Sequence, residues 1–149
     1  MPLKLALTRG MASLVDSWLV GRISDMKWHA HFTGRKWYAR SSSKIYLHRF
    51  IMNPKTGMDV DHINGDTLDN RTENLRICTR QQNSANSAYR KNMTTKGVSY
   101  DKARDLWKSY IKVNYRQIFL GRFKEKKDAL NAYRVASERH FGAFSFARR

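Results

Sequence analysis

The stretch Asp61-His62-Ile63-Asn64-Gly65-Asp66 constrains this chain more than any other part of it. An acid and a histidine stand side by side and are followed by a turn-rich segment. Two asparagines come next, Asn74 twelve residues after the histidine and Asn83 a further nine residues on. Carboxylate, imidazole and amide groups can supply a proton acceptor and oxygen ligands for a hard cation. The spacing therefore predicts a hydrolytic site in which these groups converge.

The residues around this motif predict two short strands, a loop and a helix. Met58–Ile63 and Leu75–Cys78 have the pattern of strands, and the polar stretch Asn64–Glu73 between them is typical of a loop. Thr79 and Gln82 have the spacing of a capping box, which favours a helix that begins there. The second asparagine then falls in the first turns of that helix.

The motif resembles the HNH endonucleases, in the compact ββα-metal form whose last position is asparagine. The resemblance implies that His62 is the general base and that Asp61 and Asn83 bind one Mg²⁺ or Mn²⁺ ion. It also implies that Asn74 holds the loop that carries the histidine. Neighbouring residues on a strand point to opposite faces, so the strand must end or twist at the Asp-His pair. The alternative is a generic loop rich in Asn and Asp with one accidental histidine.

Several nearby side chains have two possible roles. Arg71 and Arg76 either contact DNA phosphates or pair with acids. His48 lies in a Leu-His-Arg sequence like the one that commonly precedes this motif, and it either faces the site or packs in the core. His29, His31 and His140 have no partner at ligand spacing, so we expect them to be structural.

The loop also contains side chains that could bind a cation. These are Asp66, Asp69 and Asn70. Asp and Asn side chains commonly hydrogen-bond the backbone of their own loop, so we expect them to stabilise the loop rather than act as ligands.

Composition limits the class of protein. The chain has 149 residues, 41% of them hydrophobic, and 29 lysines and arginines against 12 acids, a formal net charge of +17. It can form a folded core, and its charge predicts a polyanionic partner. It has no run of about 18 apolar residues that would predict a membrane span. Cys78 is the single cysteine, which excludes an internal disulfide and a cysteine-based zinc site. We therefore expect a cytoplasmic protein.

The charge divides the chain into three predicted parts. Residues 1–50 have a net charge of +7, residues 51–93 of +1, and residues 94–149 of +9. We expect an N-terminal strand-rich extension packed on the nuclease core, the HNH segment, and a C-terminal DNA-binding domain. Basic ends that attract phosphate would flank a middle part whose acids hold a cation.

The first 50 residues predict short elements. Leu3–Thr8 and Ala12–Val15 are expected to be strands, and Asp16 is expected to cap a short helix that ends near Asp25. Lys36–Ser41 and Lys44–Met52 are expected to form a hairpin.

The last part predicts three strands and one helix. The strands are Gly97–Tyr100, Leu106–Asn114 and Gln117–Phe123, and the helix is Glu125–Phe141. Lys96–Tyr100, Trp107, Ile118–Phe123, Ala129–Tyr133 and Phe141-Gly142 resemble the plant ethylene-response-factor (APETALA-type) DNA-binding domain over about residues 96–147. The resemblance implies that the sheet enters the DNA major groove while the helix packs behind it.

Strand alternation predicts which side chains face the DNA. Lys108, Tyr110 and Lys112 share the face opposite the helix, and Gln117 and Phe119 should lie beside them. The plant family has arginines and a tryptophan on this face, whereas this chain has Ser99, Gln117 and Phe119. Plant-type base specificity is therefore not transferred. The alternative is a basic face that only contacts solvent.

The predicted fold class is α+β. It comprises a ββα-metal HNH core, an N-terminal strand-rich extension, and a small three-stranded antiparallel sheet with one helix at the C-terminus. The predicted function is metal-dependent, homing-like endonuclease cleavage of double-stranded DNA by a phage-encoded monomer in the host cytoplasm. We expect no membrane partner and no small-molecule cofactor. The alternative is a non-cleaving, sequence-specific DNA-binding regulator that retains the HNH scaffold, and an RNA-binding protein is less favoured.

Overall fold

The computed structural model describes residues 1–86 and 96–145. The chain forms two compact units, Met1–Arg80 and Gln81–Arg149. Both mix helix with strand, and all the sheets are small and antiparallel among the described residues, which agrees with the predicted α+β class. The polar stretch Ser84–Lys96, whose sequence predicts a helix end and a linker, lies mostly outside the described residues.

The first unit, which is described throughout, contains three two-stranded antiparallel sheets. The pairs are β1 (Pro2–Ala6) with β2 (Ala12–Asp16), β3 (Trp28–Phe32) with β4 (Trp37–Ser41), and β5 (Asp59–His62) with β6 (Leu75–Cys78). The helices are α1 (Val20–Ile23) and α2 (Leu47–Met52), with 3-10 helices at Ser17–Leu19 and Thr72–Asn74. The two predicted strands of the motif segment are thereby confirmed.

The core of the first unit is formed by the buried face of each hairpin. Val15 of β2, Ala39 of β4 and Val60 of β5 are buried against Leu47 of α2. On β3 and β4, Trp28, Ala30, Ala39 and Ser41 point inward, so the alternate residues form an outer face. The apolar area that these residues remove from water is what holds the short elements together.

The predicted strand at Lys44–Met52 is wrong, because its second part is helix α2. Leu47 and Ile51 are buried four residues apart, which is the spacing of one helical face. The helix ends at Asn53, whose left-handed backbone (φ 41°) lets its amide donate to the carbonyl of Arg49. The partner of β4 is instead β3, a strand that the sequence analysis did not predict.

The predicted capping role of Asp16 is also wrong. Its side chain makes no cap hydrogen bond to the helix that follows. Its carboxylate instead accepts hydrogen bonds from the backbone amide and the hydroxyl of Thr72, at 2.8 and 2.7 Å. Leu14, on the same strand, donates its amide to the carbonyl of Leu68 and accepts from the amide of Asn70. Strand β2 is therefore tied directly to the motif loop.

The second unit contains a three-stranded antiparallel sheet in the order β7-β8-β9. Its elements are α3 (Arg80–Asn86, which begins at the boundary between the units), β7 (Val98–Asp101), β8 (Leu106–Val113), β9 (Arg116–Phe123), α4 (Lys126–Phe141) and a 3-10 helix at Gly142–Phe144. The three predicted strands and the long helix are confirmed to within one residue at each end.

Gly97 shows how closely helix α4 packs on this sheet. The glycine has φ +73°, and a Cβ there would lie 2.2 Å from the ring of Tyr133 and 2.4 Å from the carbonyl oxygen of Tyr110. Only glycine fits this combination of left-handed backbone and close approach.

Across residues 1–86 and 96–145, no helix has the length and apolar character needed to cross a membrane.

Candidate active site and nucleic-acid interface

The hairpin of β5 and β6 places an aspartate opposite an arginine at the centre of the motif. Asp61 is paired with Arg76 in the strand register, and Arg76 donates from Nε and Nη2 to Oδ2 of Asp61 at 2.9 and 2.7 Å. The carboxylate side chain is 7% exposed and the guanidinium 16%. Arg76 therefore pairs with an acid, which was one of the two roles open to it.

His62 ends strand β5 and is held by a buried asparagine. Its Nε2 lies 3.2 Å from Oδ1 of Asn70. The amide nitrogen of Asn70 donates to the hydroxyl of Ser13 at 2.8 Å, and that hydroxyl donates to the carbonyl of Leu68. Because the Asn70 amide group is oriented by Ser13, its oxygen faces the imidazole. A proton on Nε2 satisfies this contact, and the lone pair of the neutral ring is then on Nδ1.

Burial keeps His62 neutral. His62 is 5% exposed, and this burial lowers the pKa of its imidazole. The hydrogen bond with Asn70 and the negative charge of Asp61 oppose the shift without cancelling it. An imidazole with a lowered pKa is unprotonated at neutral pH, which is the form that can accept a proton.

His48 lies against His62. The two ring centroids are 5.0 Å apart with the rings nearly perpendicular. Burial is the main reason that the pKa of His48 falls to about 3, and electrostatic interactions with His62 and Arg49 lower it further. The structure thus answers the question that the sequence left open, since His48 is both buried and directed at the predicted base.

Asn74 joins the two ends of the loop that follows His62. Its side-chain oxygen accepts from the amide of Asn64 at 2.9 Å, and its side-chain nitrogen donates to the carbonyl of Asp69 at 2.7 Å. Its own carbonyl accepts from the amide of Ile63 at 2.8 Å. With 6% of its surface exposed, Asn74 fixes the shape of the loop immediately after the histidine.

The acids of the loop bind within the loop. Asp69 accepts from Nε and Nη2 of Arg71 at 2.8 and 2.7 Å and from the side chain of Asn64. Asp66 accepts from the amide of Leu68. The guanidinium of Arg71 also pairs with Glu73. These contacts are the ones expected of loop stabilisation, and they use Arg71 as an ion-pair partner.

Asn83 lies in helix α3, which begins two residues after β6 ends, and it is partly buried. Among residues 1–86 and 96–145, no group of three or more His, Cys, Asp or Glu side chains could hold a metal ion. A cation site in the described part of the chain would therefore need amide, water or substrate oxygens beside its carboxylates.

The outer face of the second sheet carries the predicted DNA-contacting residues. Lys112 is paired with Gln117, and Tyr110 with Phe119, whose ring lies 5.1 Å from that of Tyr110. The predicted positions of Gln117 and Phe119 beside the β8 residues are confirmed. Phe119 is 47% exposed, and Lys112 is exposed.

The sequence analysis missed one basic residue on this face. A bulge between Ser109 and Tyr110 shifts the register of β9, so Arg122 pairs with Lys108 and its guanidinium lies 5.2 Å from the Phe119 ring centroid. Strict alternation from Phe119 would have put Gly121 there. The available signal was the glycine itself, whose φ of +137° is typical of a bulge.

Comparison with known proteins agrees with the motif. A family model described as HNH endonuclease matches residues 46–85. The chain is 32% identical over 139 residues to "Uncharacterized HNH endonuclease L560" of Acanthamoeba polyphaga mimivirus, a match that covers 88% of this chain and 70% of that protein. It is also 33% identical over 63 residues to "Protein 3.8" of Escherichia phage T7, which covers 41% of this chain and 52% of that protein.

No solved structure matches the chain. The family model covers β5, β6 and the whole motif loop, and the match to the mimivirus protein extends over most of both chains. The chain belongs to the HNH endonuclease family.

Proposed function

We propose that this protein is a metal-dependent endonuclease that hydrolyses phosphodiester bonds of double-stranded DNA. The observation that carries the proposal is that His62 is buried and oriented by Asn70, and that its neighbour in the chain is Asp61, whose negative charge acts on the imidazole. A neutral imidazole beside a carboxylate is suited to take a proton from water while the carboxylate holds a cation.

In the proposed reaction, Nδ1 of His62 takes the proton from the attacking water. The network from Asn70 to Ser13 keeps the other ring proton on Nε2, so the ring presents its lone pair in one direction. Asn74 acts as a positioning residue, since its three hydrogen bonds hold the loop that leaves the strand at His62.

Asp61 and Asn83 are the proposed ligands of Mg²⁺ or Mn²⁺. One carboxylate and one amide oxygen suit a hard cation that takes its other ligands from water and substrate phosphate. Bound there, the ion supplies neutralisation of the phosphate charge and of the leaving 3′ oxygen. Because Asp61 is ion-paired with Arg76, its carboxylate must either bind the metal ion while it keeps this pair or release the guanidinium when the metal binds.

The basic outer face of the second unit is proposed to position the duplex. Its alternating cationic and aromatic side chains and the three-stranded sheet backed by α4 support an ethylene-response-factor-type mode of binding. The viral sources of both relatives favour a protein encoded by a phage or another virus. We further propose that it is a phage-encoded, homing-like nuclease that acts as a monomer in the host cytoplasm.

The test is cleavage of supercoiled plasmid in Mg²⁺, Mn²⁺ and EDTA by the wild type, His62→Ala and His140→Ala. His140 is exposed on α4, so its replacement is the matched control. We expect metal-dependent nicking or linearisation by the wild type and the control, and a large loss with His62→Ala. Equal cleavage by His62→Ala and the wild type would refute the assigned base.

The second candidate is a DNA-binding regulator that does not cleave. It is favoured by the Asp61–Arg76 ion pair, because an arginine that neutralises the carboxylate can replace a metal as its structural partner. A regulator would bind DNA equally well in Mg²⁺ and in EDTA and would leave plasmid and phage-genome DNA intact in both.

A further inference from the structure

The outer face of the β3–β4 hairpin carries aromatic side chains that lie next to His62. Tyr38 lies with its ring centroid 6.4 Å from that of His62 and 5.7 Å from that of His48. The ring of Tyr46 lies 5.5 Å from that of Tyr38 and stacks on His48 at 5.6 Å. These rings therefore lie next to the predicted active site.

Two further polar side chains extend this row. The guanidinium carbon of Arg40 lies 5.3 Å from the Tyr46 ring centroid, and the His31 ring lies 6.0 Å from the same centroid. In the hairpin register His31 is opposite Tyr38, and both point away from the core with Arg40. We call His31, Tyr38, Arg40 and Tyr46 the hairpin strip.

The hairpin strip combines flat apolar rings with hydrogen-bond donors. All four side chains are half-buried, so part of each faces solvent while the inward residues of β3 and β4 form the core. Phenol, imidazole and guanidinium groups are donors that bind phosphate oxygens, and ring faces can lie against deoxyribose. The guanidinium of Arg40 has five N–H donors, of which the one on Nε donates to the carbonyl of Lys44 at 3.3 Å.

We propose that the hairpin strip binds the sugar-phosphate backbone of the DNA strand next to the phosphate at His62. Successive partners from His62 through Tyr38 and Tyr46 to Arg40 lie 5.3–6.4 Å apart. Phosphates follow one another about every 3.4 Å of helix axis on each strand of B-DNA, so a strip this close to His62 can reach phosphates beside the one there. Charge complementarity favours this occupant, since the first 50 residues alone have a net charge of +7. The proposal rests on DNA being the substrate, and it assigns a binding role to His31, which we expected to be only structural.

The test compares two arginines of the same unit. Arg40→Gln and Arg22→Gln remove the same charge, but Arg22 is exposed on helix α1 and its guanidinium lies over Phe50, outside the hairpin strip. Dissociation constants for a short mixed-sequence duplex would be measured in EDTA across a series of salt concentrations. Urea unfolding of each variant would show that the fold is kept, and Arg40→Lys would restore the charge alone.

We expect Arg40→Gln to weaken binding severalfold and to reduce the slope of log Kd against log salt by about one, because one phosphate contact is lost. Arg40→Lys should keep most of that slope, and Arg22→Gln should keep all of it. Equal slopes and equal affinities for Arg40→Gln and Arg22→Gln would overturn the proposal. An equal loss of affinity in Arg40→Gln and Arg22→Gln would also overturn it, because it would show that only the overall charge matters.

A second measurement locates the contact. On a duplex with a mapped cut, single neutral methylphosphonates would replace the phosphates flanking that cut. We expect one of them to weaken the wild type but not Arg40→Gln, whereas equal sensitivity of both at every position would refute the placement. The salt series needs no cleavage, so a protein that never cuts but shows the Arg40 effect would refute the nuclease and support the strip.

Discussion

The buried pair of imidazoles predicts a specific loss of stability in mild acid. The pKa of His48 is about 3 in the folded protein, against an ordinary value of 6.5. Between these values the unfolded chain binds a proton at this residue and the folded protein does not, so acid favours unfolding. The stabilising effect of a neutral His48 is thus fully present above pH 6.5 and is lost as the pH falls toward 3.

The magnitude follows from the size of the shift. A difference of roughly 3.5 pKa units corresponds to about 5 kcal/mol over the whole window, at about 1.4 kcal/mol per unit. Between pH 7 and pH 5, linkage gives a loss of about 2 kcal/mol in the free energy of unfolding. That is a large part of the roughly 5–15 kcal/mol typical of a domain.

The assay is urea unfolding followed by tryptophan fluorescence at pH values from 5 to 8. Trp18, Trp28 and Trp37 all lie in the first unit, so the signal reports mainly on the part of the molecule that holds His48. The wild type would be compared with His48→Gln, which keeps a polar group but cannot become charged.

We expect the free energy of unfolding of the wild type to fall more steeply below pH 6.5 than that of His48→Gln. The lowered pKa of His62 acts in the same direction in both proteins and therefore largely cancels in the comparison. The exposed His140→Gln variant should follow the wild type. Parallel curves for the wild type and His48→Gln between pH 7 and pH 5 would refute the reasoning.

Three further perturbations test other contacts. Asn74→Ala removes both side-chain hydrogen bonds of a buried amide and should cost about 2 kcal/mol in urea unfolding; no change would contradict its loop-holding role. Gly97→Ala should lower the Tm of the second unit, since its Cβ would lie 2.2 Å from the ring of Tyr133 at φ +73°; an unchanged calorimetric trace would contradict this. Arg76→Gln leaves the Asp61 carboxylate buried without its guanidinium and should destabilise the fold by about 3 kcal/mol. Mn²⁺ should raise the Tm of that variant more than that of the wild type, and an equal rise would argue against a cation at the carboxylate.

The motif segment could be predicted from sequence because its signals are local. Turn residues mark the loop after His62, and β6 is a short stretch with clear boundaries, the polar loop before it and the capping-box residues after it. The C-terminal sheet was predictable for the same reason, since β8 alternates over eight residues. Propensity and period agree in these segments, and no distant contact has to decide between structures.

Helix α2 could not be predicted, because its sequence fits two periods. Leu47 and Ile51 are compatible with one face of a strand and also with one face of a helix, and six residues are too few to distinguish them. Tertiary packing decides: the helical form buries His48 together with both apolar residues.

Contacts between residues far apart in sequence could not be predicted either. Asn70 is oriented by Ser13, which lies 57 residues earlier, and Asp16 binds Thr72 instead of its own helix. Asp is a favoured residue at a helix N-cap. Here the carboxylate of Asp16 instead accepts from the backbone amide of Thr72, which needs a hydrogen-bond partner. The bulge that brings Arg122 to the outer face depends on pairing across the sheet, and Gly121 was its one local signal in the sequence.

The tie between β2 and the motif loop also limits how the HNH motif can be separated from the rest of the first unit. The segment matched by the family model begins at residue 46, but the orientation of its histidine depends on a hydroxyl at position 13 and its loop on a carboxylate at position 16. An excised motif would keep every residue named in the proposed reaction. It would lose the hydrogen bond from Asn70 to Ser13 that orients the partner of His62. The smallest transferable form of this candidate site therefore includes the N-terminal hairpin, and a graft into another scaffold would have to carry both segments.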